Sequence, residues 1–257
     1  MRTVRPKKAL GQHFLKDLKI AQAIADTVDS CADIPVLEIG PGMGVLTKFL
    51  TRKNRPFKVI EIDKESVEWL RNESVLPSGD IIEGDFLKLP LSEIFEGRQF
   101  VLTGNYPYNI SSQIFFRMLD NKDLIPCCTG MVQREVAQRI TSGPGSKEYG
   151  ILSVFVQAWY DTEYLFTVRP DVFDPPPKVH SAVIRLTRNT RTELGCDPVL
   201  FRQIVKGTFG QRRKMIRNSI RSCIGDKPLP ECEWLEKRPE QLSVGDFIAL
   251  TNLIKKD

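Results

Sequence analysis

Histidine is almost missing from this chain, with only His13 and His180 among 257 residues, and no CxxC pair occurs. A zinc site therefore has little to be built from, and no metal is expected. No apolar run approaches the ~20 residues that a membrane-spanning helix requires. The longest, residues 151–160, carries Ser153 and Gln157 and reads as a buried strand. There is no glycine period and no disordering excess of charge, which excludes collagen-like and unfolded classes. The six cysteines are scattered, two of them adjacent (Cys127, Cys128), so they outline no disulfide framework and point to a reducing cytosol. The basic start, with Arg2, Arg5, Lys7 and Lys8, lacks an apolar h-region and is not a secretory signal. What is present is 41% apolar and 27% charged residues, enough to bury a sizeable core without metal or disulfides.

Charge is spread unevenly. Residues 1–179 carry 22 basic and 23 acidic side chains, whereas residues 180–257 carry 15 and 9. Between Asp197 and Asp226 there is no acid, but there are Arg202, Lys206, Arg212, Arg213, Lys214, Arg217 and Arg221. Arg213, Arg217 and Arg221 recur at i, i+4, which predicts one basic helix face with Ile216, Ile220 and Ile224 on another. A solvated surface helix normally mixes both signs, so the missing acids point to a polyanion partner.

Two regions follow from the patterning. From residue 36 to 186, short β-rich runs alternate with helical spacing, the signature of βαβ units and a mostly parallel sheet. Strands are predicted at 36–39, 58–62, 81–83, 100–103, 129–133, 153–160 and 180–186, with helices at 18–28, 45–51, 66–72, 112–119 and 135–140. Ser111 or Ser112 is the expected N-cap of the fourth helix. Past residue 188 the β signal stops and helical segments follow at 199–208, 211–222, 232–235 and 244–254. The expected division is thus 1–188, an α/β domain, and 189–257, a small all-α one.

Chemistry collects at the ends of successive strands. The first runs into Gly40-Pro41-Gly42-Met43-Gly44, a turn that lets backbone approach a ligand over a helix N-terminus. Val45 replaces the third glycine of the dinucleotide fingerprint, which disfavours NAD. Glu61 ends the next strand, where a carboxylate can accept both ribose hydroxyls of a nucleoside. Asp85 and Phe86 end the third, suited to an adenine amine and ring. The fourth ends in Gly104-Asn105-Tyr106-Pro107-Tyr108-Asn109. An adenine exocyclic amine is a poor nucleophile, because its lone pair is delocalised into the ring. The Asn105 side-chain carbonyl and the main-chain carbonyl beside rigid Pro107 can accept its two N–H groups and turn the lone pair towards an electrophile, with no strong base. Tyr108 is then placed to stack on the base.

The motifs GQHFL (11–15), VLEIGPGMGVLT (36–47), IEID (60–63), EGDFLK (83–88), GNYPYNISS (104–112), MVQREVAQRI (131–140) and VFDPPPKVHSAVIRL (172–186) together resemble the ribosomal RNA adenine dimethyltransferase family. The likeness spans nearly the whole chain, includes the basic segment 209–220, and is closest to the KsgA-type branch, which dimethylates two adjacent adenosines near the 3′ end of small-subunit RNA. It implies a class I, Rossmann-like sheet with helices on both faces and its last strand antiparallel. It also implies S-adenosylmethionine as methyl donor and a helical RNA-binding C-terminal domain that uses Arg212, Arg213, Lys214, Arg217 and Arg221. By the same resemblance His13, Leu15, Gly40, Gly42, Glu61, Asp85, Phe86 and Asn105 would hold the donor. Asn105, Pro107, Tyr108 and Phe173 would act on the base, Tyr108 and Phe173 as the two walls of a sandwich, with Pro175, Pro176 and Pro177 stiffening the Phe173 loop. The pattern departs at His13, where Asn is common, and at Tyr106, where Leu or Ile is usual. The expected enzyme is a cytoplasmic monomer acting on the assembling small subunit. Two alternatives stand: a large-subunit methylase of the antibiotic-resistance type, and a non-catalytic RNA- or DNA-binding factor that retains the fold.

Overall fold

The structure, a computed structural model, describes residues 4–225 and 228–255, so Arg2 and Asp226 lie outside the described residues. The strands are β1 (Phe14–Leu15), β2 (Val36–Ile39), β3 (Phe57–Glu61), β4 (Ile81–Glu83), β5 (Val101–Gly104), β6 (Cys127–Gln133), β7 (Tyr160–Val168), β8 (Phe173–Asp174) and β9 (Ser181–Arg188). The α-helices are α1 (Leu18–Asp26), α2 (Thr47–Leu50), α3 (Lys64–Asn72), α4 (Leu91–Ile94), α5 (Ser111–Asp120), α6 (Arg134–Thr141), α7 (Ile151–Gln157), α8 (Pro198–Gly210), α9 (Ile216–Ser219), α10 (Arg221–Ile224) and α11 (Val244–Lys255).

Seven strands form one sheet in the order β4-β3-β2-β5-β6-β9-β7. Parallel pairing joins β4, β3, β2, β5 and β6, and β9 is antiparallel to β6. Strands β2 and β5 are buried along their whole length, as central parallel strands covered on both faces must be. The chain winds outward from β2 through β3 to β4 and then returns to β5 on its other side. That reversal opens a crevice at the carboxyl ends of β2 and β5, where ligands of open α/β sheets bind. Helix α1 begins at Asp17, whose carboxylate accepts the Lys19 and Ile20 N–H groups, and buries Ala21, Ile24 and Ala25 in a cluster with Val36, Val101 and Met131.

Three expectations change. Residues 153–160, predicted as a strand, fold instead as α7, and the strand of that region is β7, from Tyr160 onward. An apolar run buried on every side is read equally well as helix or strand. The physical reason lies in its two polar residues, which sit i, i+4. The Ser153 hydroxyl donates to the Arg139 carbonyl, and the Gln157 amide donates to the carbonyls of Ile140 and Ser142 at 2.8 Å each. A helix sets the two one turn apart, close enough to satisfy the open carbonyl end of α6 together, whereas a strand would hold them about 13 Å apart. Neither Ser111 nor Ser112 caps α5; Ile110 holds that position, and the Ser111 hydroxyl donates to the Tyr108 carbonyl. Cys31 and Cys127, 96 residues apart, form a disulfide that no sequence spacing announced.

The packing also divides the chain differently from a single cut after residue 188. One compact unit holds the residues up to Ala137 together with Asp161–Arg188, and the other holds Gln138–Tyr160 together with the chain from Asn189. The second unit is built on aromatic pairs, Phe155 with Phe201 and Phe209 with both Tyr149 and Phe247, at centroid distances of 5.9 to 6.2 Å. No helix among the described residues is long and apolar enough to cross a membrane, and no group of three or more His, Cys, Asp or Glu among them could hold a metal.

Candidate active site

A cavity of about 190 Å³ opens in the crevice. Its wall includes His13, Leu15, Gly40, Gly42, Glu61, Asp85, Phe86, Asn105, Pro107 and Tyr108, brought together from four strand ends and the amino-terminal segment. Gly40, Gly42 and Gly44 all have positive φ, between 55° and 75°, and a Cβ on Gly42 would stand 2.9 Å from the Phe14 ring. The loop thus needs glycine both for its backbone turn and for the close approach of Phe14.

Glu61 is buried, its Oε2 accepting the Gly42 N–H at 3.0 Å and its Oε1 the Asp63 N–H at 2.9 Å. Burial pushes its pKa up against the pull of the Asp63, Gly42 and Ile62 amides. Each oxygen keeps a second lone pair, so the carboxylate that braces the loop can still accept from a ribose. Asp85 accepts the Leu87 N–H through Oδ1 at 3.0 Å, while its Oδ2 lies 3.5 Å from the Lys88 ammonium, leaving room for an amine donor. Together with buried Phe86 and exposed Ile62 on the wall, these residues fit an adenosine-bearing ligand. Asp85→Ala is expected to weaken S-adenosylmethionine binding by roughly 1.5 to 3 kcal/mol at unchanged melting temperature. Glu61→Ala should lose as much and also melt earlier, because two buried N–H groups lose their acceptor. Calorimetric titration beside thermal melting checks both.

Glu38, at the cavity floor, is a feature the sequence reading left without a role. It is 1% exposed, accepts the Thr47 hydroxyl at 2.7 Å, and is pushed by burial up to about 8, with Glu61 adding to the rise. Between its ordinary value of 4.5 and about 8 the folded protein keeps a proton that the unfolded chain releases. Stability must therefore fall as pH rises through that window, by at most about 1.4 kcal/mol per pH unit, and level off above it. Glu38→Gln, a mimic of the protonated acid, should flatten this slope in urea titrations between pH 6 and 9. A slope unchanged by the substitution would assign the pH dependence elsewhere.

Asn105 follows β5 and bridges to Met131 of β6. Its Nδ2 donates to the main-chain carbonyl of His13 at 3.0 Å. The amide is thereby oriented, and Oδ1 has no hydrogen-bond partner among the described residues. Tyr108 is fixed at its far end, where its hydroxyl meets that of buried Ser181, and burial raises its pKa against that bond. Its ring lies 5.2 Å from the His13 ring at 31°. His13 in turn holds the Pro175 carbonyl at 2.8 Å through Nδ1. Tyr106 points away from this chemistry: it is fully buried, its hydroxyl donates to the Thr129 carbonyl at 2.8 Å, and its ring meets Phe115 edge-on.

Phe173 is the clearest correction. The antiparallel pair β1·β8 sets it opposite Leu15 and turns its ring into the core with Met131 and Val183, fully buried and off the cavity wall. In this conformation it cannot stack on a base, and the ring facing Tyr108 is His13.

The basic stripe is also rearranged. Residues 211–214 form turns, so Arg213 precedes α9, and α9 and α10 are single turns, not one helix. Acids from later in the chain return the missing negative charge. Arg217 pairs with Glu236 at 2.8 Å, and Arg212 reaches Glu240 at 3.8 Å and the Ser146 carbonyl at 3.1 Å. Arg221 donates to the Gly225 carbonyl at 3.4 Å. Arg213 and Lys214 are exposed, while Ile216, Ile220 and Ile224 are buried as expected. Gln12, Phe14, Ile62 and Asn109 also line the cavity. All four stand inside or beside the quoted motifs, and only the folding of the amino-terminal segment over the crevice reveals them.

A Rossmann-like sheet with an antiparallel strand beside β6, a glycine loop and an Asn-Tyr-Pro-Tyr strand end define a methyltransferase. The chain is similar over 93% of its length to a dimethyladenosine transferase from Plasmodium falciparum, of which 96% is covered (TM-score 0.75, 23% identity), a likeness of fold. It is also similar over 93% to the 23S rRNA methyltransferase ErmE, of which 99% is covered (TM-score 0.66, 26% identity). Residues 4–255 match the ribosomal RNA adenine dimethylase family, and the chain belongs to that family of enzymes. Its whole length is 66% identical to the ribosomal RNA small subunit methyltransferase A of Bacteroides fragilis, of which 94% is covered. It is 60% identical to the protein of that name from Porphyromonas gingivalis, with both chains fully covered.

Proposed function

We propose that this enzyme dimethylates the N6 amines of two adjacent adenosines near the 3′ end of small-subunit ribosomal RNA, as a cytoplasmic monomer acting on the assembling particle. The observation that carries the reading is the Asn105 amide. Its nitrogen is committed to the His13 carbonyl, so the end left over is an acceptor aimed at a donor such as an adenine amine. S-adenosylmethionine, held by Glu61, Asp85 and the Gly40–Gly44 loop, supplies the methyl group from its sulfonium. Asn105 Oδ1 and the Tyr106 carbonyl each accept one N–H, which localises the nitrogen lone pair; the proton then displaced goes to solvent, and no base of this chain is required. Tyr108, braced by Ser181, supplies one wall for the unstacked base. Arg213 and Lys214, exposed on the second unit, are the side chains best placed for phosphates.

The 60–66% identity to small-subunit enzymes against 26% to the 23S enzyme favours the small-subunit target. Purified protein should transfer radiolabelled methyl groups to undermethylated small subunits and not to large subunits, and nuclease digestion should yield dimethyladenosine in a 3′-terminal fragment. Label on large-subunit RNA would select the resistance-type reading. Donor binding without transfer to bound subunits would select a non-catalytic factor.

A further inference from the structure

Asp63 belongs to neither the donor-binding nor the base-binding set, yet it is as deeply buried as Glu61. As the N-cap of α3 it needs only to accept the Glu65 N–H, which it does at 3.2 Å. It does more. The Lys7 ammonium lies 2.5 Å from its Oδ1 and the Gln12 amide 3.2 Å from its Oδ2, two contacts from more than fifty residues away. Gln12 closes the segment on itself by accepting the Lys7 N–H at 2.8 Å. Asn109 holds the middle, donating to the Ala9 carbonyl at 3.1 Å, and Gly11 makes the turn at φ 63°. The next carbonyl along, that of His13, is the one that takes the Asn105 amide.

We propose that Asp63 is a positioning residue for methyl transfer: by clamping Lys7 and Gln12 it fixes the segment whose His13 carbonyl sets the orientation of the Asn105 amide. An amide has two orientations of nearly equal shape and opposite chemistry. With nitrogen on His13, Asn105 offers the adenine amine an acceptor; flipped, it offers a second donor, which repels the amine and leaves the lone pair delocalised. Nothing in Asn105 itself prefers one orientation. The choice is made by a main-chain carbonyl, and that carbonyl is held in place by a buried carboxylate on another strand end. Asp63 never touches the reacting atoms, and its effect passes entirely through Asn105. The proposal rests on the reading that Asn105 Oδ1 receives the acceptor amine.

Two substitutions separate this role from helix capping. Asp63→Asn keeps the N-cap and the side-chain size but removes the buried one of the two carboxylates that hold Lys7, the other being exposed Glu65 at 3.2 Å. Lys7→Gln leaves Asp63 and its cap untouched at a half-exposed position. Single-turnover transfer to small subunits is measured at saturating S-adenosylmethionine, with donor affinity by calorimetry and melting temperature alongside. Each variant should transfer about 10-fold more slowly or worse, the double variant no more slowly than the slower single one, and Lys7→Arg should recover most of the rate. In an Asn105→Ala background, Asp63→Asn should change the rate by less than about 2-fold, since the group it positions is gone. Full rates for both single variants at saturating donor would overturn the proposal. So would an Asp63→Asn effect as large in the Asn105→Ala enzyme as in the parent, which would show a route other than Asn105. A near-normal rate for Asn105→Ala alone would instead overturn the reading beneath it.

Discussion

Asn105→Ala is expected to slow single-turnover methylation of small subunits by about 10² or more, the scale for losing one preorganised polar group at a reacting centre. The truncation removes Oδ1, the one amide atom without a protein partner among the described residues, and leaves the His13 carbonyl without the Nδ2 donor. RNA affinity should stay almost unchanged, because the side chains proposed for phosphates, Arg213 and Lys214, are untouched. Donor affinity should fall only modestly, since Glu61, Asp85 and the glycine loop remain. The loss belongs in the rate at saturating donor and RNA, not in the concentration needed to saturate. Near-normal turnover would mean that the amine finds its geometry without this residue, and the lone-pair account would fall.

Gly130→Ala is expected to cost stability on the order of 3 kcal/mol, the upper range for overpacking a filled core. A Cβ there would lie 2.5 Å from the Gly104 carbonyl oxygen and 2.8 Å from the Tyr106 ring, against backbone on one side and a fully buried aromatic on the other. Neither can retreat, because Gly104 is locked into β5 and Tyr106 is tied to Thr129. A lowering of the melting temperature by roughly 6 to 12 °C follows for a chain of this size. Tyr106→Leu placed on top should recover only part of it, relieving the ring but not the carbonyl. Full recovery would show that the ring alone sets the limit. Tyr106, unusual for the family pattern, is thus accommodated by the absence of a side chain on the neighbouring strand.

Most of the sheet and the strand-end part of the cavity wall were legible in the sequence, because strand ends in such folds carry both the turn chemistry and the ligand contacts. Glu61 could be found from its distance to the glycine loop, and Asp85 and Asn105 from their places at the ends of the next two strands. Four things could not. The run 151–157 is apolar but for Ser153 and Gln157, whose i, i+4 spacing fits one face of a strand as well as of a helix, so its periodicity is silent. The helix expected at 211–222 is broken because the Ile216 N–H donates to the Lys237 carbonyl at 2.8 Å, a contact across twenty-one residues that local propensity cannot anticipate. Phe173 was placed on the base by resemblance, whereas its ring direction is set by a two-residue ladder with Phe14 and Leu15. Asp63 stood in plain view beside Glu61, but its partners at residues 7 and 12 are known only once the chain has folded back.

The assignment of Gln138–Tyr160 to the same unit as the carboxyl-terminal helices limits how this protein can be taken apart or recombined. A gene cut after residue 188 would keep α7 while discarding its packing partners, stranding Phe155 without Phe201 and Tyr149 without Phe209. The truncated product would display a sticky apolar hairpin and invite aggregation. Exchange of the helical unit between relatives, by engineering or by natural recombination, consequently requires three crossovers rather than one, after residues 137, 160 and 188, with the first inserted piece returning the chain to the sheet at β7. The two units are, in that sense, inherited as a single package.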